Sequence, residues 1–210
     1  MRYVTIATRN ANKTRELCAM LGPEWIVEDL TGRPDLPDPE ETGATFEENA
    51  IIKAVAASGA LPGLVLADDS GLEVDLLNGA PGVYSARYAG SKATDRQNRD
   101  HLLAELARLN HAAEEPVTAR FRCIIAVAEN GVTFETFSGA DEGRILLAEA
   151  GDGGFGYDPL FVPDGWSQTF AELDHATKNS ISHRARAMEQ FIDWLSRRRG
   201  GRKKRGPAGG

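Results

Sequence analysis

The sequence predicts an α/β fold in which a mixed β-sheet and flanking helices form two lobes around a central cleft. Short apolar runs typical of buried strands alternate with amphipathic helical stretches along most of the chain. An Asn-Gly pair joins two of the β-rich runs, which is a strong hairpin signal. Antiparallel strands are therefore expected beside the βα units, and a mixed sheet is favoured over a purely parallel one.

The first elements are a strand, a helix and a long loop. Residues 4–7 form a short apolar run that predicts a buried strand. Residues 13–21 form a helical stretch, which Gly22 and Pro23 are expected to end. Residues 29–45 contain three prolines and several acids, so they are expected to form turns.

A second helix and a second strand follow this loop. Thr45 and Glu48 have the T-x-x-E spacing of a capping box, and Gly59 is a plausible stop for the helix that begins there. Residues 64–67 are apolar and predict another buried strand, expected to end at a pair of aspartates.

The second half of the chain is expected to contain a capped helix and a hairpin. Residues 71–90 mix apolar pieces with Gly and Pro and are expected to be strand and loop. Thr94 is expected to cap a helix that runs to Leu109. Two β-rich runs, residues 119–128 and 132–138, should pair through the Asn-Gly turn.

The remaining elements are a loop and a final helix. Residues 151–156 are dense in glycine and are expected to form a loop. The last helix is expected to start at Ser182 and run towards Arg197.

Composition indicates an ordinary globular protein. Hydrophobic residues make up 41% and charged residues 26% of the 210 residues, which suffices to bury a core without disulfides. No apolar run approaches the roughly 18 residues of a membrane span, and no signal-peptide pattern is visible. We therefore expect a cytoplasmic protein without a membrane partner, in which Cys18 and Cys123 stay reduced.

Charge is distributed unevenly between the body and the C-terminus. The net charge is −7, but residues 197–210 hold seven Lys or Arg and no acid, which leaves 17 basic against 31 acidic residues elsewhere. An acidic body argues against a nucleic-acid surface, and no nucleic-acid partner is expected. We predict one domain over residues 1–196 and a disordered tail over residues 197–210, either solvated or in contact with RNA or phosphate.

A polar loop between the first strand and the first helix is the first candidate site. It consists of Thr8, Arg9, Asn10, Ala11, Asn12 and Lys13. The N–H groups and the dipole at a helix N-terminus attract anions, and Lys13 adds a full charge. No P-loop pattern is present, so the alternative is an ordinary cap and turn.

Acidic side chains form the second candidate site. Asp68 and Asp69 follow an apolar run, at the end of a strand where α/β proteins bind ligands. Adjacent carboxylates repel each other unless a cation lies nearby, and Mg²⁺ uses one or two carboxylates with phosphate and water. The alternative is an Asp-capped turn at Gly71. Glu40 and Glu41 would join the site if their loop folds over this pair, and are otherwise solvated.

Two later segments could bind a flat or anionic group. Glycines on both sides of Phe155 would let a ligand approach the backbone, and the ring could stack on a base. The alternative is a turn whose aromatic ring packs in the core. Lys178, His183 and Arg184 lie near the start of the last helix, where the dipole disfavours cations unless an anion is bound.

In this order, these segments resemble the inosine triphosphate pyrophosphatase family, whose members hydrolyse non-standard purine triphosphates. The matching stretches are ATRNANKTREL, EETGATFEENAIIKA, ADDSGLEVDLLNGAPGVYSARYAG, GDGGFGYDPLF and KNSISHRARA, and the resemblance spans about residues 4–195. Many members have a small residue where this chain has Arg9. Arg9 is therefore expected either to be strained or to add a phosphate contact.

The resemblance implies an elongated sheet, a homodimer, and a Mg²⁺-dependent enzyme that converts dITP, ITP or XTP to the monophosphate and pyrophosphate. It implies that Asp69 is the general base and a metal ligand with Asp68 beside it, and that Glu40 or Glu41 is the other ligand. The implied substrate-binding residues are Thr8 to Lys13, Ser70, Phe155, Gly156, Tyr157, Asp158, Lys178, His183 and Arg184.

The chemistry of the base suggests how such an enzyme would select its substrate. Inosine and xanthosine carry an acceptor oxygen at purine position 6, where adenine carries an amino group. Lys178, or N–H groups near Phe155 and Gly156, would pair with that oxygen, and an unpaired buried polar group costs about 1–3 kcal/mol. A nucleotide sensor without catalysis is the alternative, but it would have little need for the carboxylates.

Overall fold

A six-stranded mixed β-sheet forms the centre of the protein. The computed structural model describes residues 1–109 and 116–202, with side chains to residue 198. The strands are β1 (Arg2–Ile6), β2 (Trp25–Asp29), β3 (Val65–Val74), β4 (Val117–Glu129), β5 (Val132–Ile145) and β6 (Phe161–Pro163). Their order is β2-β1-β3-β4-β5-β6; β1 runs parallel to β2 and β3, and the other pairs are antiparallel. The predicted α/β class with a mixed sheet is confirmed.

Five α-helices lie in the described part of the chain. They are α1 (Ala11–Leu21), α2 (Phe46–Ala60), α3 (Asp95–Arg108), α4 (His175–Ile181) and α5 (His183–Arg202). The side chain of Thr45 accepts the N–H of Glu48 at the start of α2, and Thr94 forms a full capping box with Gln97 at the start of α3. The two helices expected from these caps are confirmed.

Side chains that alternate along β3 pack against helices on opposite faces of the sheet. Leu66 belongs to an apolar core that contains residues of α1 and α5. Val65 and Ala67 belong to a second core that contains residues of α2. A third core joins α3 to β4 and β6. The direction in which each β3 side chain points therefore decides which helices it meets.

Gly139 of β5 lets α5 lie directly on the sheet. A Cβ at this position would come within 2.7 Å of the backbone nitrogen of Ala187, closer than real Cβ atoms approach. The first turns of α5, which begin at His183, therefore depend on this glycine for their place against β5.

The hairpin predicted from Asn-Gly is confirmed. Asn130 and Gly131 connect β4 and β5 and have φ values of 53° and 75°, as a two-residue turn with both residues at positive φ requires. The two strands are longer than the β-rich runs that predicted them, because their antiparallel pairing continues from Val117 to Ile145.

Strand β3 extends beyond the predicted boundary. It runs to Val74 because β4 pairs with it along its whole length. Asp68 and Asp69 therefore lie inside a strand rather than at its end. The sequence pattern also failed to reveal β2, α4 and β6, which are too short to show a clear period.

Helix α5 also extends beyond its predicted end. It continues to Arg202, so residues 197–202 of the predicted disordered tail are helical instead. Arginine is a good helix former, and positive charge near a helix C-terminus suits the dipole. The rest of that tail, residues 203–210, lies outside the described residues. Across the described chain, no helix combines the length and apolar character needed to cross a membrane.

Candidate active site

Two cavities share a wall formed by Asn10, Lys13 and Ala86. The α1–α2 cavity, of about 410 Å³, is lined by the loop before α1, the loop that carries Glu41, and Lys53 with its neighbours on α2. The Phe155 cavity, of about 110 Å³, is bounded by aromatic, polar and charged side chains, chiefly Ser70, Phe121, Phe155, Lys178, His183 and Arg184. A ligand that extends past Lys13 would occupy both.

The loop before α1 brings a helix N-terminus to the α1–α2 cavity. Asn10 caps the helix, since its side-chain oxygen accepts the N–H groups of Asn12 and Lys13 at 3.0 and 3.3 Å. The Thr8 hydroxyl accepts the N–H of Asn10 at 3.1 Å. Thr8, Arg9, Asn10 and Lys13 line the cavity, whereas Ala11 and Asn12 line neither cavity. Four of the six predicted loop residues thus lie at the cavity wall.

Arg9 holds the proline-rich loop in place. Its φ is not positive, so of the two alternatives for Arg9 the strained backbone is wrong, and the phosphate contact stays a prediction. Its guanidinium donates to the backbone carbonyls of Arg33, at 3.0 Å, and Leu36, and lies 3.3 Å from the carboxylate of Asp38. These contacts tie the segment that leads to Glu41 to the loop before α1.

Asp68 points to the α1–α5 face of β3 and has no exposed side-chain surface. One of its oxygens forms an ion pair with Lys13. The other accepts hydrogen bonds from Arg184 Nε at 2.9 Å and from the Ser70 hydroxyl at 2.7 Å. Both carboxylate oxygens are therefore already engaged by cations and donors within the protein.

The ion pairs continue from Asp68 through the interior. Arg184 also pairs with Glu16 of α1. Lys178 lies 2.9 Å from Glu16 and 2.6 Å from Asp158. None of these side chains is more than 8% exposed. We call this set of five residues the buried network: Asp68, Arg184, Glu16, Lys178 and Asp158.

Asp69 points to the α2 face and belongs to a more exposed set of charges. Lys53 Nζ of α2 lies 2.5 Å from Asp69 and 3.2 Å from Glu41. Arg87 Nη1 lies 2.8 Å from the other oxygen of Glu41. These four residues, which we call the Lys53 network, have side chains that are 10–31% exposed. Glu40 is exposed and forms no ion pair with a described residue.

The two neighbouring aspartates have opposite pKa shifts. Complete burial raises the pKa of Asp68, but the charges of Arg184 and Lys13 more than offset it and hold that pKa well below its usual range. Burial also raises the pKa of Asp69, and Lys53 only partly offsets this, so the pKa of Asp69 stays above its usual range. Asp68 is therefore a fixed anion, whereas Asp69 accepts a proton more readily.

Asp69 and Glu41 offer the hard oxygen donors that suit Mg²⁺. They already share one cation, the Lys53 ammonium group, so a positive charge between them fits the site. Across residues 1–109 and 116–198, no three His, Cys, Asp or Glu side chains come together as a metal site. The arrangement thus fits an ion that takes two carboxylates from the protein and its other ligands from phosphate and water.

Phe155 forms one wall of the cavity named after it. Its ring centroid lies 4.8 Å from Lys178 Nζ. Its backbone N–H donates to Asp158 Oδ2 at 2.8 Å, and the N–H of Gly156 donates to Asp95 Oδ2 at 2.7 Å. The two N–H groups that the sequence suggested for contact with a base are therefore engaged within the protein.

His183 is a buried, neutral side chain in the same cavity. It stacks on Phe121 with ring centroids 4.8 Å apart and planes inclined by 12°. Burial, reinforced by the charges of Arg184 and Lys178, holds the pKa of His183 well below its usual range. Its Nδ1 is buried and has no hydrogen-bond partner among the described residues. The hydrogen-bonding capacity of this nitrogen is therefore not used by any described residue.

Sequence reasoning missed three members of the two charge networks, which are Glu16, Lys53 and Arg87. Lys53 interrupts the apolar stretch AIIKAVAA, and a lone lysine in such a stretch could have indicated a buried charge with a partner. Glu16 follows Lys13 by three residues, so the two share one helix face. Nothing in the local sequence distinguishes Arg87 from other surface arginines.

The Ham1 family model matches residues 4–194, which include every residue of both networks. The dITP/XTP pyrophosphatase of Desulforamulus reducens is 48% identical over 195 residues, covering 92% of this chain and 96% of that protein. The dITP/XTP pyrophosphatase of Geobacter sulfurreducens is 47% identical and covers 93% of this chain and 97% of its own length.

Two solved structures are similar over nearly the whole chain. A HAM1 protein from Coxiella burnetii has a TM-score of 0.82 and 40% identity, covering 94% of this chain and 100% of its own. The Ham1 protein of Staphylococcus aureus has a TM-score of 0.79 and 38% identity, with coverages of 93% and 98%. The structural similarity therefore extends over nearly the whole chain.

Proposed function

Because this chain belongs to the Ham1 family, we propose that it is a pyrophosphatase that hydrolyses dITP, ITP and XTP to the nucleoside monophosphate and pyrophosphate. The family membership expected from the sequence is confirmed. The observation that carries the proposal is the meeting of two cavities at Lys13, one lined by cations and carboxylates and one by aromatic rings. A purine nucleoside triphosphate has a matching anionic part and a matching flat part.

The α1–α2 cavity is proposed to take the triphosphate. The dipole of α1 and the side chains of Thr8, Asn10 and Lys13 favour an anion there. Lys53 and Arg87 add two further positive charges at the Glu41 side. Several cations held by partly exposed carboxylates suit a ligand with several negative charges, because each cation can change partner as the ligand binds.

Asp69 and Glu41 are the proposed ligands of Mg²⁺. When bound, the ion neutralises charge on the triphosphate and lowers the pKa of a coordinated water. Asp68 is committed to the buried network, and Glu40 is exposed without an ion pair to a described residue. We therefore propose two metal ligands, Asp69 and Glu41, in place of the four carboxylates expected from the sequence.

Asp69 is the proposed general base for the attack of water on the α-phosphorus. Asp68 is fully paired within the protein, so Asp69 is the one of the two adjacent aspartates that is free to meet a water molecule. Lys53 Nζ lies 2.5 Å from this carboxylate and pairs with it. The pyrophosphate that leaves carries the negative charge into the surroundings of Lys13 and Thr8, where the loop donors stabilise it. This scheme needs no covalent nucleophile.

The Phe155 cavity is proposed to take the base. Lys178 is fully paired with Glu16 and Asp158, so its proposed role is to hold Asp158, which in turn accepts the N–H of Phe155. His183 is the better candidate to meet the oxygen at purine position 6, since its neutral ring donates when the proton is on Nδ1. An adenine amino group would leave that donor unpaired, at a cost of about 1–3 kcal/mol.

Other features of the assembly stay predictions. They are the homodimer, the cytoplasmic location, the two lobes around an elongated sheet, and the single catalytic domain of residues 1–196. Sedimentation of the purified chain would test the dimer. Removal of residues 203–210 should leave hydrolysis unchanged if the basic tail has no part in it.

A substrate panel tests the proposed function. Pyrophosphate release should be measured with dITP, ITP, XTP, ATP and GTP, and the nucleotide products identified. We expect kcat/KM for the hypoxanthine and xanthine nucleotides to exceed that for ATP by at least about tenfold. His183→Ala should reduce this ratio, while the exposed His175→Ala serves as the matched control. Equal rates for all substrates, or tight binding without turnover, would refute the proposal.

A further inference from the structure

The backbone of Gly156 is held at both of its polar groups by one helix. Its N–H donates to Asp95 Oδ2 at 2.7 Å, and its carbonyl accepts a hydrogen bond from Arg99 Nη1 at 2.8 Å. Asp95 is the first residue of α3, and Arg99 follows one turn later on the same face. Two side chains of α3 thus hold the two peptide groups on either side of the Gly156 Cα in the glycine-rich loop.

Both side chains are themselves held in place. Arg99 forms a two-point ion pair with Glu149, at 2.8 and 3.2 Å, and its side chain is only 13% exposed. Asp95 follows the capping box at Thr94, and a carboxylate in the first turn suits the helix dipole. The hydrogen bonds to Gly156 therefore start from a rigid helix end.

The residues on either side of Gly156 form the wall of the Phe155 cavity. The Phe155 ring lies over Lys178, with 4.8 Å between the ring centroid and Nζ. Tyr157 is buried, and its hydroxyl donates to the Ser85 carbonyl at 2.9 Å. Phe155 itself is only partly buried, so the peptide after it is the main link between its ring and α3.

We propose that Asp95 and Arg99 are positioning residues of the base-binding cavity. By holding Gly156, they fix the position of the Phe155 ring in the cavity that Phe121 and His183 also line. This inference rests on the proposed function, since it assigns the cavity to a purine base. Loss of either hydrogen bond should loosen the aromatic wall and weaken binding of the base, without altering the groups that act on the triphosphate.

Kinetics of ITP hydrolysis test this assignment. Arg99→Met and Asp95→Ala should each raise KM for ITP by roughly tenfold, while kcat changes by less than about twofold. Arg99→Lys and Asp95→Asn keep a donor and an acceptor for Gly156 and should recover most of the loss. The matched control is Arg96→Met on the same helix, whose side chain is 83% exposed and which should leave KM unchanged.

Inorganic tripolyphosphate, which has no base, separates positioning from general damage to the fold. As a competitive inhibitor it should bind all these variants as tightly as the parent protein. Unchanged KM values in Arg99→Met and Asp95→Ala, or equal losses for ITP and tripolyphosphate, would overturn the inference. If the parent protein does not release pyrophosphate from ITP, the proposed function is overturned instead. The inference that this wall positions a purine base is then overturned as well.

Discussion

The two carboxylates in the middle of β3 are neighbours in sequence but lie in different surroundings. Asp68 faces α1 and α5 within the buried network and has no exposed side-chain surface. Asp69 faces α2 within the Lys53 network, whose side chains are 10–31% exposed. Only the second group can exchange a protein partner for a ligand without leaving an unpaired charge in the interior.

This difference separates two tasks that the sequence places side by side. Removal of one member of a buried ion pair leaves a charge that water cannot reach, whereas water compensates much of the loss at a partly exposed pair. Substitutions in the buried network should therefore act mainly on stability. Substitutions in the Lys53 network should act mainly on turnover and on the affinity for the metal.

The largest expected effect is on the turnover of Asp69→Asn. The amide neither accepts a proton from water nor offers a negative charge to Mg²⁺, so kcat for dITP should fall by at least roughly a thousandfold. The free energy of unfolding should fall by less than the about 3–5 kcal/mol expected when a fully buried pair is broken. Pyrophosphate release and urea unfolding measure the two quantities.

The matched control for this variant is Asp193→Asn. Asp193 is an exposed residue of α5 that belongs to neither network, and its substitution should alter the rate by less than about twofold. A rate for Asp69→Asn within tenfold of the parent protein would remove Asp69 from the proposed role.

The second largest effect is expected on the free energy of unfolding of the Arg184→Met variant. Methionine leaves Asp68 and Glu16 buried without one of their shared cations, so the free energy of unfolding should fall by about 3–5 kcal/mol. Urea unfolding measures this loss. Arg108→Met, which removes an ion pair with a 76% exposed arginine, should cost less than about 1 kcal/mol. Equal losses in the two variants would contradict the comparison.

A smaller effect is expected on metal affinity in Lys53→Met. Without the ammonium group, Asp69 and Glu41 lack the cation that they now share, so Mg²⁺ should bind more tightly. The Mg²⁺ concentration that gives half of the rise in Tm, measured without nucleotide, should fall several-fold. Lys92→Met, at an exposed position, should leave it unchanged. A higher Mg²⁺ requirement in Lys53→Met would show that the two carboxylates are not the metal ligands.

The smallest effect is a difference in sign between two pH dependences. The folded pKa of Asp68 is depressed, so its contribution to stability is present above the ordinary value of 3.8 and is lost as pH falls towards the folded pKa. The folded pKa of Asp69 is raised, so its contribution is present below 3.8 and is lost as pH rises through the folded pKa.

Metal-free unfolding of the Asn variants measures these two contributions. Relative to Asp68→Asn, the parent protein should gain stability as pH rises from the depressed folded pKa of Asp68 towards 3.8. Relative to Asp69→Asn, the parent protein should lose stability as pH rises from 3.8 through the raised folded pKa of Asp69. Differences of the same sign for both variants would mean that the two faces do not differ in the way described.

Local patterns predicted those elements whose signals are contained in a few residues. The Asn130-Gly131 turn and the Thr94 cap are examples, because positive φ values and N-cap hydrogen bonds depend on residues that are adjacent in sequence. The end of β3 could not be predicted in this way. Its last residues are held by pairing with β4, about fifty residues later, and a window of sequence does not contain that partner.

The same limit applies to the site. Lys13, Asp69 and Phe155 were singled out because their neighbours in sequence make them unusual. Lys53 and Glu16 were missed because their role depends on ion-pair partners that are distant in sequence. Lys53 pairs with Asp69, and Glu16 pairs with Lys178 and Arg184. Opposite orientations of Asp68 and Asp69 follow from strand alternation, but only once both residues are known to lie inside a strand.

The most direct measurement of the central claim is turnover of dITP by the unaltered chain, with Mg²⁺ or with a chelator, and with every product identified. Our account predicts dIMP and pyrophosphate in equal amounts with Mg²⁺, and a rate at least roughly a thousandfold lower in the chelator. Undiminished hydrolysis in the chelator, or release of dIDP and phosphate, would contradict a metal held by Asp69 and Glu41 at the α-phosphorus.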